Sequence, residues 1–85
     1  MNEKTVVVTG ANSGVGLATA TELARRGATV VMVCRSPERG EQALKEARQR
    51  SGSDKLELMR CDLGSLESIR TFAREFQARH SALDV

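Results

Sequence analysis

The fold is decided by the stretch Thr9-Gly10-Ala11-Asn12-Ser13-Gly14-Val15-Gly16, which places three glycines within seven residues. The chain enters it from Thr5-Val6-Val7-Val8-Thr9, a β-branched run that predicts a short buried strand. It leaves into residues 15–26, which are rich in Ala, Leu and Glu and predict a helix. A glycine-rich turn between a strand and a helix is the setting that a phosphate-binding loop requires.

The turn offers backbone groups to an anion. A helix start presents unpaired N–H groups and about half a positive charge, which suits a pyrophosphate. Gly10 would turn the chain out of the strand, Gly14 would let a ligand approach closely, and Gly16 would let the helix pack on the sheet. A plain strand-to-helix turn is the alternative, but three glycines at this spacing argue against it. Asn12 and Ser13 either cap the helix or contact phosphate, because one side-chain oxygen does not easily do both.

The rest of the chain repeats the strand–helix pattern. Apolar or alternating runs predict strands at 29–34 and 55–61, and residues 83–85 would begin a fourth strand. Helices are predicted after Ser36-Pro37 and after Gly64-Ser65. Their apolar positions are Gly40, Ala43, Leu44 and Ala47 in the first, and Leu66, Ile69, Phe72, Ala73 and Phe76 in the second. Short connections between alternating elements predict one α/β unit with parallel strands joined by right-handed crossovers.

The composition excludes several classes of function. Thirteen Lys and Arg against eleven Asp and Glu give a net charge of +2, and the signs are interspersed, which argues against nucleic-acid binding. Cys34 and Cys61 lack the spacing of a metal site and are expected to be buried apolar residues. No apolar run approaches the ~18 residues of a membrane span. The chain is therefore expected to be a soluble, cytoplasmic unit without a metal, in which His80 is solvated.

The pattern Thr-Gly-x-x-x-Gly-x-Gly at residues 9–16 resembles the cofactor loop of classical short-chain dehydrogenases/reductases, closest to their retinol-dehydrogenase-like branch. The resemblance runs along the whole chain, through Val33-Cys34-Arg35 and Cys61-Asp62-Leu63-Gly64-Ser65. It implies a Rossmann-type parallel sheet with strand order 3-2-1. It further implies that residues 1–85 are the amino-terminal portion of an NAD(P)-binding domain. Hydride transfer between NADP(H) and an alcohol or carbonyl substrate is the implied activity. The loop residues implied to bind the cofactor are Gly10, Asn12, Ser13, Gly14, Val15 and Gly16.

Arg35 favours NADP over NAD. It follows the second predicted strand, where an acidic residue would accept the ribose hydroxyls of NAD. A guanidinium at that position can instead make charge-assisted bonds to the 2′-phosphate of NADP. A solvated arginine near a helix start is the alternative.

Asp62 and Leu63 follow the third strand, at the edge where open α/β sheets bind ligands. The resemblance implies that the Asp62 carboxylate accepts from the adenine amino group and that the Leu63 N–H meets the ring. Asp62 alternatively caps the turn before Ser65.

No catalytic residue is expected in this chain. In the resembled family a Ser and a Tyr-x-x-x-Lys pair carry catalysis, and residues 1–85 contain no Tyr. The sequence thus predicts half of a Rossmann fold, truncated before the fourth strand, with the first strand on an open edge. Two alternatives remain open: a non-catalytic dinucleotide-binding module, and a half-fold that associates with itself through that edge.

Overall fold

The computed structural model describes residues 4–10 and 14–80, which form three strands and three helices in strict alternation. The strands are β1 (Thr5–Thr9), β2 (Thr29–Cys34) and β3 (Leu56–Arg60). The helices are α1 (Gly14–Arg25), α2 (Pro37–Ser51) and α3 (Leu66–Arg79). The predicted α/β organisation is confirmed, and the predicted bounds of β3 and α1 differ by one residue at each end. The fourth strand predicted at 83–85 lies outside the described residues.

The three strands form one parallel sheet in the order β1-β2-β3, which confirms the predicted 3-2-1 arrangement. Val7 lies opposite Val31, and Val31 lies opposite Glu57. Because the strands are parallel and their ends are nearly in register, their carboxyl ends lie at one edge of the sheet. The loops that follow β1, β2 and β3 are therefore brought together there.

Helices α1 and α2 cover one face of the sheet. The core on this face is built from Val6, Val8, Ala20, Ala24, Ala28, Val30, Met32, Ala43, Ala47 and Leu56. Gly40 lets α2 approach the strands closely. A Cβ atom built on Gly40 would overlap the Sγ atom of Cys34 and lie 2.8 Å from the Cδ1 atom of Leu58. Any side chain at this position would push the helix away from β2 and β3.

Helix α3 covers the opposite face, and only in part. Its core consists of Val31, Val33, Met59, Cys61 and Phe76, with Val7 and Phe72 packed against them. The apolar stripe predicted along α3 is not fully packed, since the side chains of Leu66 and Ile69 are 64% and 37% exposed. In the part of the chain that the structure describes, only the carboxyl-terminal half of the stripe finds an apolar partner, around Phe76.

The end of α3 is attached to β3 through His80, so the prediction of a solvated His80 is wrong. Its side chain is 14% exposed, and its Nε2 atom lies 2.8 Å from the Oε1 atom of Glu57. The imidazole also packs on the Phe76 ring, with a centroid separation of 4.9 Å. The side chain of Glu57 points to the same face of the sheet as Val31 and Met59, because side chains alternate along a strand. This alternation, rather than the position of His80 at a helix end, determines its partner.

None of the helices in the described part of the chain is long and apolar enough to cross a membrane.

Candidate functional site

A cleft of about 410 Å³ lies at the carboxyl ends of the strands. Its lining comes from the loops after all three strands: Thr9, Gly10, Val33, Cys34, Arg35, Ser36, Arg39, Cys61, Asp62, Leu63 and Gly64. This is the edge of an open α/β sheet at which ligands bind. The cleft gathers four of the residues that the sequence predicted for a cofactor, namely Gly10, Arg35, Asp62 and Leu63.

The glycines on either side of the turn after β1 are exposed. Gly10 has a φ of +63°, in the left-handed region that favours glycine. A Cβ atom built on Gly10 or on Gly14 would meet no atom of residues 4–10 or 14–80 within 4 Å. The described residues therefore leave space beside these two glycines.

The remaining predicted residues of the turn are placed as follows. Gly14 is the first residue of α1, and Val15 and Gly16 stand in the first turn of that helix. The Val15 side chain is 84% exposed and takes no part in the core. Asn12 and Ser13 lie outside the described residues, so the choice between their capping and phosphate-contacting roles stays a prediction.

Arg35 lies directly after β2 and is exposed at the cleft. It forms no ion pair with any residue in 4–10 or 14–80. Its carbonyl oxygen accepts a hydrogen bond of 3.3 Å from the Nε atom of Arg60, on β3. The Arg60 side chain thus braces the backbone of the loop, while the Arg35 guanidinium stays available to a ligand.

Arg39 is a lining residue that the sequence reasoning missed. It occupies the third position of α2, on the turn that begins at Pro37. Arg35 precedes the extended N-cap residue Ser36, so helical spacing does not relate the two arginines. The packing of α2 on the sheet brings Arg39 to the cleft, and no local pattern in the sequence identifies it.

Asp62 shapes the turn between β3 and α3. Its Oδ1 atom accepts a hydrogen bond of 3.0 Å from the Gly64 N–H, and its carbonyl accepts one of 3.0 Å from the Ser65 N–H. Its own N–H donates to the Ser68 Oγ atom at 2.8 Å. The capping role that the sequence offered as an alternative is present, and it uses one carboxylate oxygen. Leu63 is exposed beside it and also lines the cleft.

Cys34 and Cys61 are both buried and both free, in agreement with the prediction of apolar packing residues. Burial raises the pKa of the Cys34 thiol above its usual range, which keeps it protonated near neutral pH. Its Sγ atom donates a weak hydrogen bond of 3.5 Å to the Ser36 carbonyl. Cys34 contacts the α2 side of the sheet and Cys61 belongs to the core under α3, so the two thiols lie on opposite faces.

The cleft combines three features that suit an elongated anion: an exposed glycine backbone, two guanidinium groups, and a floor of strand ends. Among the described lining residues the carboxylate is that of Asp62, which is engaged in a turn. This arrangement can bind and orient a phosphorylated ligand.

Comparison with known proteins agrees with this geometry. Residues 4–85 match the family model described as short chain dehydrogenase. The chain is 55% identical over 82 residues to human dehydrogenase/reductase SDR family member 13, covering 96% of the chain and 22% of that protein. It is 46% identical over 82 residues to human retinol dehydrogenase 11, with 96% and 26% covered. The chain thus spans about a quarter of the length of these curated relatives.

Solved structures show the same architecture. A metagenomic short-chain oxidoreductase in complex with NADP superposes with a TM-score of 0.89 at 34% identity, covering 100% of this chain and 38% of that one. Actinorhodin polyketide ketoreductase with NADPH gives a TM-score of 0.86 at 30% identity, covering 99% and 33%. With a family match over nearly its whole length, and with the glycine turn and the parallel sheet in place, the chain belongs to the short-chain dehydrogenase family.

Proposed function

We propose that this chain is the amino-terminal, NADP(H)-binding part of an oxidoreductase that transfers hydride between NADP(H) and an alcohol or carbonyl substrate. The observation that carries the proposal is the Arg35 guanidinium, exposed in the cleft without an ion-pair partner among the described residues. Where NAD-binding folds place an acid to accept ribose hydroxyls, this chain places a cation. The proposed contacts to the cofactor come from Gly10, Asn12, Ser13, Gly14, Val15, Gly16, Arg35, Asp62 and Leu63.

Each group in the proposed site has a distinct task. The glycine turn and the start of α1 would receive the diphosphate on backbone N–H groups. Arg35 would bond the 2′-phosphate, and the loop at Asp62 and Leu63 would hold the adenine. The bound nicotinamide supplies the hydride chemistry. This chain's own residues bind and orient the cofactor, and we assign no catalytic residue to 1–85.

The cofactor preference is tested by Arg35→Asp. In the unchanged protein, calorimetric titration is expected to give tighter binding of NADPH than of NADH. The substitution removes a charge-assisted contact of roughly 1.5–3 kcal/mol and repels the 2′-phosphate, so the preference should reverse. Arg70→Asp is the matched control, because Arg70 is exposed on α3 and lies outside the cleft. An NADPH-to-NADH ratio that Arg35→Asp and Arg70→Asp change equally would refute the assignment.

A non-catalytic nucleotide-binding module is the second candidate, favoured by the absence of Tyr from residues 1–85. Both candidates predict that residues 1–85 bind NADPH without turnover, so the coding sequence downstream of residue 85 is what distinguishes them. A Tyr-x-x-x-Lys motif there supports the oxidoreductase, and a coding sequence without one supports the module.

A further inference from the structure

We infer that Arg39 is a second determinant of cofactor specificity, which binds the ribose 2′-phosphate together with Arg35. The inference rests on the proposed function and extends it to a residue that neither the glycine motif nor the strand-end position identifies. Arg35 and Arg39 both line the same cleft.

Unlike most arginines in the described part of the chain, these two side chains form neither an ion pair nor a hydrogen bond. Arg25, Arg26, Arg50 and Arg79 lie within 4.0 Å of glutamate carboxylates. Arg48 and Arg60 donate to backbone carbonyl groups. Arg35 and Arg39 have neither kind of partner in 4–10 or 14–80, and they share this only with Arg70 and Arg74 on α3, outside the cleft.

The local sequence gives Arg39 no stabilising partner on its own helix. Its neighbours at three and four positions are Arg35, Ser36, Gln42 and Ala43, none of which is acidic. A cation in the first turn also opposes the helix dipole. A dianion held between the two side chains would neutralise both charges. A phosphate monoester is the ligand group whose charge and bidentate geometry suit two guanidinium groups.

The backbone places Arg39 close to the strand ends. Gly40, the next residue, is buried and sits directly on the Cys34 side chain, at the last position of β2. The turn of α2 that carries Arg39 is therefore packed beside the strand that leads into Arg35. The diphosphate of the same ligand would lie at the glycine turn after β1, one strand away. This separation assigns the pair of arginines to the ribose phosphate rather than to the diphosphate.

The test compares two small probes that differ only in the phosphate concerned. The protein is titrated with 2′,5′-ADP, which carries a 2′-phosphate, and with 5′-AMP, which lacks one. Arg39→Ala is expected to weaken binding of 2′,5′-ADP about tenfold, equivalent to ~1.4 kcal/mol, and to change 5′-AMP binding less than about twofold. Arg74→Ala removes the same charge from an exposed position on α3 and is expected to leave both affinities unchanged. Circular dichroism confirms that each variant is folded.

The outcomes separate this inference from the proposal on which it rests. If the unchanged protein binds neither nucleotide, both fail together. If it binds 2′,5′-ADP and Arg39→Ala has no larger effect than Arg74→Ala, only the inference fails. An equal loss of both nucleotides in Arg39→Ala would also overturn it, because a contact to the 2′-phosphate cannot weaken a ligand without one.

Discussion

At Gly14 the fold would tolerate a side chain, whereas a ligand bound beside it would not. Gly14 begins α1, and a Cβ atom built on it would meet no atom of the described residues within 4 Å. The fold therefore has room for a side chain here. A diphosphate bound in the cleft would occupy the same space, so a side chain at position 14 would exclude the ligand.

Gly14→Val is therefore expected to abolish nucleotide binding while leaving the fold nearly intact. The valine methyl groups would occupy the space beside the turn that the diphosphate needs. NADPH titration together with a urea unfolding curve measures the two effects separately. Gly14→Ala, with a smaller side chain, is the graded control and should lose less affinity. A valine variant that loses stability in proportion to its affinity would show that Gly14 serves the fold alone.

At the scale of residues, the sequence predicted those parts of the site that are set by local position. Gly10 and Arg35 are found because a turn follows a strand and a cation replaces an acid at a strand end. Arg39 and His80 were missed because their environment depends on tertiary packing. The contact of His80 with Glu57 joins the end of α3 to the second residue of β3, 23 residues earlier, and no local pattern encodes it.

At the scale of elements, the close packing of α2 on the sheet requires glycine at position 40, because any side chain there would overlap the strands. Gly40→Ala would place a methyl group against Cys34 and Leu58. Overpacking of this kind costs about 1–3 kcal/mol, against which alanine recovers up to about 1 kcal/mol of helix propensity. We expect a net loss of stability, visible as a lower midpoint in urea unfolding. Because Cys34 and Arg39 adjoin this contact, nucleotide binding should weaken as well.

The cause of that loss can be isolated in a Cys34→Ala background. Removing the Sγ atom opens the space into which the new methyl group would project. Gly40→Ala should therefore cost less stability there than in the unchanged protein. An identical cost in the two backgrounds would mean that backbone effects, rather than contact with Cys34, decide the result.

The third helix shows where element prediction reached its limit. The stripe from Leu66 to Phe76 correctly predicted an amphipathic helix, and α3 occupies nearly the expected residues. Periodicity reports which face of a helix is apolar, but not how much apolar surface the rest of the chain offers to cover it. Leu66 and Ile69 consequently remain exposed in the described part of the chain.

At the scale of the whole molecule, we expect the edge at β1 to influence how the chain behaves in solution. Within the described residues, β1 pairs only with β2. The Thr29 N–H donates to the Lys4 carbonyl at 2.8 Å, and Thr29 lies opposite Thr5. In a parallel ladder, the N–H and C=O groups of successive residues point alternately to the two sides of the strand. The backbone groups of Val6 and Val8 therefore face β2, and those of Val7 face away from it.

We expect the 85-residue chain to associate with itself through the outward side of β1. The amides of Val6 and Val8 should be protected from hydrogen exchange at all concentrations, and the Val7 amide only when sedimentation shows association. Val7→Pro removes an outward N–H and should favour the monomer, whereas Val8→Pro removes a bond of the β1–β2 ladder and should unfold the sheet. A monomer with a strongly protected Val7 amide would contradict this expectation.

The cleft is assembled from three loops that are distant in sequence, around Gly10, Arg35 and Asp62. The three loops come together only when both crossovers have closed, so the complete binding surface exists only in the folded state. A ligand bound there would contact residues from both the first third and the last third of the chain, and so would stabilise the folded state. At a free concentration one hundred times its dissociation constant, such a ligand adds about 2.7 kcal/mol to the free energy of unfolding. Occupancy of the cleft is therefore expected to lower the unfolded fraction of the chain about a hundredfold.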